Sequence, residues 1–89
     1  MKKEFKDKTL LQLKKAQGML KKVISMAEED AYCIDVLQQS LATVGLVKGA
    51  NKLILENHLN ACFKEGMKTA NDLKQQELIR ELLHVINKA

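Results

Sequence analysis

The chain has 89 residues, 46% of them apolar and 29% charged, and it contains no proline. A chain this short has room for one hydrophobic core, so we expect a single domain over residues 1–89 that gains stability by self-association. The formal net charge of +4 is only mildly basic. The chain has one tyrosine and two phenylalanines, which are too few aromatic residues to form a surface on which single-stranded nucleic acid could stack.

The N-terminal stretch MKKEFKDKTLLQLKK lacks the apolar run of a secretory signal, and no run of about 18 apolar residues follows it. These features predict a cytoplasmic protein that does not enter the membrane. In a reducing compartment, two cysteines favour metal binding or redox chemistry over a structural disulfide. Cys33 and Cys62 are therefore the first candidates for chemistry.

Lysines are concentrated near the start of the chain, where eight of the fourteen lie between residues 2 and 22. Such a cluster can bind the phosphates of double-stranded DNA, and the candidate contacts are Lys14, Lys15, Lys21 and Lys22. The alternative is an ordinary solvated helix face, which charge alone favours.

Apolar residues recur three and four apart throughout, which predicts an all-α fold of three helices. The first helix can begin near Thr9, where Thr9 and Gln12 have capping-box spacing, or further upstream in the lysine-rich stretch. Its predicted apolar seam consists of Leu13, Ala16, Leu20, Val23 and Ala27, and Met19 and Met26 are predicted to widen it.

The second helix is predicted over about residues 30–65, with Asp30 as its N-cap and Gly66 as its C-terminal cap. Gly45 and Gly49 lie inside it, and their spacing predicts close helix–helix contacts rather than a break. Residues 67–72 are predicted to form a connection. A third amphipathic helix follows, which contains Leu73, Leu78, Ile79, Leu82, Leu83 and Ile86.

A candidate metal site begins with His58 and Cys62, which lie four residues apart on the second helix and therefore share one face. Cys33 lies 25 residues before His58, about 37 Å along a straight helix at roughly 1.5 Å per residue. It cannot complete the site within one chain. In an antiparallel homodimer, Cys33 of one subunit would lie opposite His58 and Cys62 of the other, and the two-fold axis would generate two equivalent sites.

Two thiolates and one imidazole form a three-coordinate set that suits Cu(I), whereas Zn(II) usually takes a fourth ligand and Ni(II) more nitrogen. Spacing alone leaves an alternative equally open, in which both cysteines are small buried apolar residues and His58 is a hydrogen-bonded helix residue. His84 has no cysteine at helical spacing and is expected at the surface. An enzyme is not expected, because no nucleophile, base and orienting residue form a recognisable trio.

Two segments, MAEEDAYCIDVLQQ (residues 26–39) and LILENHLNAC (residues 53–62), resemble the CsoR/RcnR family of bacterial metal-sensing repressors. The order cysteine, histidine, cysteine is similar to the copper-sensing branch. Nickel and cobalt sensors have histidine in place of the last cysteine, and persulfide-sensing relatives lack the histidine. The formaldehyde-responsive branch relies on a proline after the initiator methionine, where this chain has Lys2.

The resemblance implies an antiparallel dimer with a four-helix core and a tetramer built from two dimers. It also implies two residues that support the ligand histidine by hydrogen bonding. These are Tyr32, directly before the first cysteine, and Glu81 on the third helix. If the third helix matches the family in a shifted register, Glu77 takes the role of Glu81.

Two functions are compatible with these observations. The first is a Cu(I)-responsive transcriptional repressor that binds operator DNA as the metal-free oligomer and releases it when Cu(I) binds. The second is a copper-binding, copper-buffering or thiol-handling protein that has lost specific DNA binding. The family's helix-one arginines are replaced by Lys14 and Lys15, and its central arginine region by Val44, Gly45 and Gly49. Lysine keeps the charge but loses the bidentate geometry with which arginine reads guanine.

Overall fold

The computed structural model describes residues 1–88, and every regular element in that range is a helix. The helices are α1 (Lys3–Glu28), α2 (Cys33–Asn57), α3 (Lys64–Thr69) and α4 (Asp72–Ile86), and a π-helical turn (His58–Phe63) joins α2 to α3. The backbone stays right-handed and helical at both junctions, so α2, the π-helical turn and α3 form one continuous rod. The predicted all-α fold of three helical segments is confirmed.

The first helix begins at Lys3, so the predicted cap at Thr9 is wrong and the alternative upstream start is correct. Thr9 is instead buried on the face that packs on α2. This face repeats every three or four residues and consists of Phe5, Thr9, Gln12, Ala16, Met19, Val23 and Met26. Of the predicted stripe, Ala16, Val23 and the two flanking methionines belong to this face. Leu13 and Leu20 do not, and they remain 37% and 51% exposed.

The turn between α1 and α2 reverses the chain, so the two helices pack as an antiparallel hairpin. Asp30 lies in this turn with a left-handed φ of 56°, a conformation that aspartate adopts more readily than most residues. The predicted N-cap at Asp30 is therefore wrong. Tyr32 occupies the N-cap position, and its side chain makes no capping hydrogen bond.

Gly66 does not end the second helical segment, because α3 continues to Thr69 and the connection to α4 is only Ala70 and Asn71. The predicted cap at Gly66 is wrong. This glycine instead allows α4 to approach, since a Cβ there would lie 3.1 Å from Cδ1 of Leu78. The side chain of Asn71 caps α4 by accepting the backbone N–H of Lys74 at 2.9 Å.

The two glycines of α2 have different environments. A Cβ on Gly49 would lie 2.6 Å from Nε2 of Gln12, so the predicted close contact exists there and joins α2 to α1. A Cβ on Gly45 would meet nothing within 4 Å, so the same prediction is wrong for Gly45 within the single chain.

The chain encloses almost no core of its own. Among the described residues, those buried are all small or polar: Thr9, Ala16, Thr43, Ala50 and Asn57. The molecule measures 56 × 26 × 14 Å, and its radius of gyration is 17.5 Å, against about 12 Å for a compact domain of this length. Large apolar side chains are left facing outward along both helices of the hairpin, which is unfavourable for an isolated chain. No helix within residues 1–88 combines the length and the apolar character that crossing a bilayer requires.

Candidate metal centre

The three predicted ligands lie at the two ends of the α2–α3 rod. Cys33 is the first residue of α2, whereas His58 and Cys62 lie in the π-helical turn. Both cysteines are exposed free thiols. Within residues 1–88, no three histidine, cysteine, aspartate or glutamate side chains of one chain approach closely enough to hold a metal ion. The single chain therefore places His58 and Cys62 in one helical turn and Cys33 at the far end of the rod.

The π-helical turn is the feature of this region that sequence reasoning missed. Its hydrogen bonds reach one residue further than those of an α-helix, which widens the turn, and such turns are rare and concentrate at functional sites. His58 and Cys62 remain close to one turn apart within it, so both side chains still project from the same side of the rod. No pattern in the residues of this segment distinguishes it from an ordinary α-helix.

The imidazole of His58 is half-buried and lies against an aromatic neighbour. Its ring centroid is 6.1 Å from that of Phe63, with an angle of 49° between the ring planes. Phe63 follows five residues later, the spacing that a π-helix brings together. This tilted contact restricts the imidazole to a subset of orientations.

A groove of about 730 Å³ lies between α2 and α4, and His58 and Glu81 are both among the residues that line it. Glu77, the alternative partner for the histidine, is exposed and lies 3.5 Å from the ammonium of Lys74. Of the two glutamates, Glu81 is therefore the one that shares the groove with His58. His84 is exposed and does not line the groove, so its predicted surface position is confirmed.

Tyr32 lies beside Cys33 at the opposite end of the rod, with its side chain 69% exposed. It is 26 residues from His58 in the chain, so the two side chains of one molecule cannot meet along the helix. A hydrogen bond from Tyr32 to a ligand histidine therefore requires the histidine of a second chain.

The four candidate DNA-binding lysines are exposed and lie outside the contact face of α1. Lys14 and Lys21 are seven residues apart, as are Lys15 and Lys22, so each pair projects from one side of the helix. The ion pairs of the described residues involve other lysines, Lys68 and Lys74. The four ammonium groups are thus available to an anionic surface.

The protein is thus an all-helical chain that carries candidate ligands for a soft metal at both ends of one long rod. Within residues 1–88, a single chain does not bring three such candidates together. A model of the metal-sensitive transcriptional repressor family matches residues 5–88. The chain belongs to this family, and the resemblance seen in the sequence is confirmed.

Three relatives illustrate the similarity, and each is named a copper-sensing transcriptional repressor, CsoR. The chain is 39% identical over 77 residues to the protein of Mycobacterium ulcerans, covering 86% of this chain and 63% of the relative. It is 35% identical over 77 residues to that of Mycobacterium tuberculosis H37Rv, with 86% and 62% covered. It is 31% identical over 83 residues to that of Bacillus subtilis, with 93% and 79% covered.

The chain thus spans less than two thirds of the length of the mycobacterial relatives and about four fifths of the Bacillus protein. The family and these relatives are repressors rather than enzymes, which agrees with the predicted absence of a catalytic function.

Proposed function

We propose that the chain is a Cu(I)-responsive transcriptional repressor. It binds operator DNA as the metal-free oligomer and releases the DNA when Cu(I) binds to Cys33 of one subunit and to His58 and Cys62 of another. The observation that carries this proposal is the separation of the three ligands to the two ends of the α2–α3 rod. The names of the copper-sensing relatives support the choice of metal and response.

An antiparallel pairing of α2 helices supplies the missing ligand. The face of α2 that is turned away from α1 repeats every three or four residues and consists of Cys33, Leu37, Leu41, Val44, Lys48, Asn51, Leu55 and His58. Leu37 and Leu41 are 53% and 61% exposed in the single chain. Burying this face against a second copy removes apolar surface from water at about 25 cal/mol per Å². The same pairing produces a four-helix core, and two such dimers form the proposed tetramer.

The ligand set favours Cu(I). Two thiolates and one imidazole satisfy a three-coordinate soft ion. Cu(I) therefore serves as the effector that the protein senses. The 89 residues act together as one metal-sensing domain.

The metal site is linked to the rest of the molecule through His58. Glu81 lines the same groove as this histidine. Tyr32 directly precedes Cys33, so the subunit that supplies Cys33 to the site also brings its own Tyr32 there. When one ring nitrogen of His58 binds copper, the other is free to donate a hydrogen bond to one of these oxygens. In this way metal binding changes the position of α4 and the arrangement of the oligomer.

DNA binding is assigned to α1, through Lys14, Lys15, Lys21 and Lys22. Four ammonium groups on each subunit contact operator phosphates, and the oligomer repeats them along the duplex. If Cu(I) favours an arrangement that cannot bind DNA, then DNA must weaken Cu(I) binding by the same factor by which Cu(I) weakens DNA binding.

The decisive experiment measures binding of the protein to DNA from its own promoter, with and without Cu(I), under reducing and anaerobic conditions. We expect tight binding by the metal-free protein that Cu(I) abolishes, and a Cys33→Ala variant that binds DNA but no longer responds to Cu(I). Unchanged DNA affinity on Cu(I) addition would overturn the proposal.

A second function is favoured by the centre of α2, where Val44 is exposed and Gly45 faces open space, in the region that carries arginine in related repressors. In this second function, the chain binds, buffers or transfers Cu(I), or handles thiols, and it does not recognise DNA. Sequence-selective DNA binding with a steep dependence on salt concentration would exclude this function.

A further inference from the structure

The start of α1 is capped by a residue of another helix. Lys2 occupies the N-cap position, and its own side chain makes no capping hydrogen bond. In a capping box, the N–H of the N-cap residue is accepted by a glutamate or glutamine three positions later. That position holds Phe5, whose side chain has no acceptor. Oδ1 of Asn57 accepts the Lys2 N–H instead, at 2.8 Å.

Asn57 lies where the cap of α1 and the candidate metal site meet. It is the last residue of α2, it is 5% exposed, and it directly precedes His58. Successive residues of a helix project roughly 100° apart. The side chain of Asn57 therefore reaches α1, while that of His58 lines the groove beside α4. A single peptide link joins the residues that contact these two helices.

We propose that Asn57 is the positioning residue that carries the Cu(I) response from His58 to α1. Copper draws the imidazole of His58 toward Cys33 of the partner subunit and twists the backbone at residues 57 and 58. The Asn57 side chain moves with this backbone and displaces the first turn of α1, the helix that carries the candidate DNA-binding lysines. The route rests on the proposed function, and it starts from the backbone of His58 rather than from its ring.

The backbone at this joint can change at low cost. The π-helical turn begins at His58, and such turns are rare departures from α-helical hydrogen bonding. The N–H of His58 is shared between the carbonyl oxygens of Ile54 and Leu55. A small twist there favours one acceptor over the other and leaves the donor with a partner.

The displacement can reach the lysines because α1 is one helix of 26 residues without proline. Lys14 and Lys22 lie about three and five turns beyond its first residue, Lys3. An uninterrupted helix transmits movement of its first turn along its length, as rigid elements do between coupled sites. The lysines therefore change position relative to α2 without contacting the metal.

Hydrogen–deuterium exchange with and without Cu(I) tests the route in the complete protein and without DNA. The amides to follow are those of residues 6–9, because the N–H of Lys6 donates the first hydrogen bond of α1, to the carbonyl of Lys2 at 2.9 Å. In the wild-type protein, Cu(I) should speed their exchange by about twofold or more, the scale on which residues between coupled sites act. Asn57→Ala should lose this change, yet bind Cu(I) within about tenfold of the wild-type affinity, since Asn57 is not a ligand.

Two further variants separate this route from a general loss of structure. Asn57→Asp keeps an oxygen for the Lys2 N–H, and negative charge is favourable at the start of a helix, so the effect of Cu(I) on exchange should return. Asn60→Ala is the matched control, because Asn60 donates only to the carbonyl of Glu56 at an exposed position. It should show the full wild-type effect. Circular dichroism establishes that each variant is folded.

Unchanged exchange of residues 6–9 in wild-type protein that has bound Cu(I) would overturn the inference, and this comparison requires no variant. An equal effect of Cu(I) in wild type and Asn57→Ala would also overturn it. Failure of the proposed function has a different sign: the wild-type protein keeps its DNA affinity when Cu(I) binds. Exchange in α1 reports movement of the helix whether or not DNA is released.

Discussion

The backbone N–H of Lys2 donates a hydrogen bond of 2.8 Å to Oδ1 of Asn57, which is buried and directly precedes His58. This bond ties the start of α1, the helix that carries the candidate DNA-binding lysines, to the π-helical turn that carries two candidate metal ligands. It is the sole side-chain hydrogen bond between α1 and α2 in the described part of the chain. Asn57 is therefore a structural link between the two ends of the proposed regulatory response.

Replacing Asn57 with alanine should lower the free energy of unfolding by about 1 kcal/mol, because the variant loses the partly buried hydrogen bond that its side chain accepts from Lys2. Urea denaturation at one fixed protein concentration measures this change. Asn60→Ala is the matched control, since Asn60 donates only to the carbonyl of Glu56 at an exposed position. Equal stability of the two variants would show that the link contributes little.

Mixing two inactive variants tests whether the metal site is shared between subunits. Cys33→Ser and Cys62→Ser should each lose tight Cu(I) binding as homodimers. A heterodimer of the two has one intact site, because Cys33 of one chain meets His58 and Cys62 of the other. Random exchange of equal amounts should therefore restore about a quarter of the wild-type number of sites. Titration against a Cu(I) chelator counts them, and no recovery after verified subunit exchange would rule out the shared site.

The two glutamates on α4 should behave differently. Glu81→Gln is expected to retain Cu(I) binding within about tenfold but to weaken the effect of Cu(I) on DNA affinity, because Glu81 shares the groove with His58. Glu77→Gln is the matched control, and its loss removes only an exposed pair with Lys74. DNA affinity measured with and without Cu(I) for each variant reports the coupling. If Glu77→Gln weakened the coupling more than Glu81→Gln, Glu77 rather than Glu81 would be the partner of His58.

Neutralising Lys14 and Lys21 together should weaken operator binding and reduce its dependence on salt. Each phosphate contact contributes about 0.9 to the slope of log affinity against log salt concentration, so the double Lys→Gln variant should lower the slope by about 2 for each subunit in contact. Lys68→Gln with Lys74→Gln is the control, because both lysines lie on other helices in exposed ion pairs. An unchanged slope in the Lys14, Lys21 variant would place the DNA surface elsewhere.

Helix boundaries were the part of the fold that sequence reasoning predicted least well. Thr9, Asp30 and Gly66 all have residue types that favour helix ends, yet none ends a helix as predicted. A favourable cap contributes only about 1 kcal/mol, which the packing of a longer helix easily outweighs. At Gly66, the approach of Leu78 from α4 accounts for the glycine.

The packing face of α1 was also only partly predictable. Periodicity favoured a stripe that includes Leu13 and Leu20, but the hairpin packs on a face that includes Thr9 and Gln12 instead. Small residues at the buried positions allow two helices to approach closely. When a helix has two apolar stripes, the sequence does not show which one packs on another helix of the same chain and which one stays exposed in the single chain.

The sequence alone determined the number of helical segments, the shared face of His58 and Cys62, and the distance that keeps Cys33 from joining them. These follow from the period and rise of a helix, which are local properties of the backbone. Only the tertiary structure decided that His58 lies in a π-helical turn and that Glu81 rather than Glu77 lines its groove. The second of these depends on how α4 folds back after a two-residue connection, where Leu78 packs on Gly66 and Gln75 bonds to Met67.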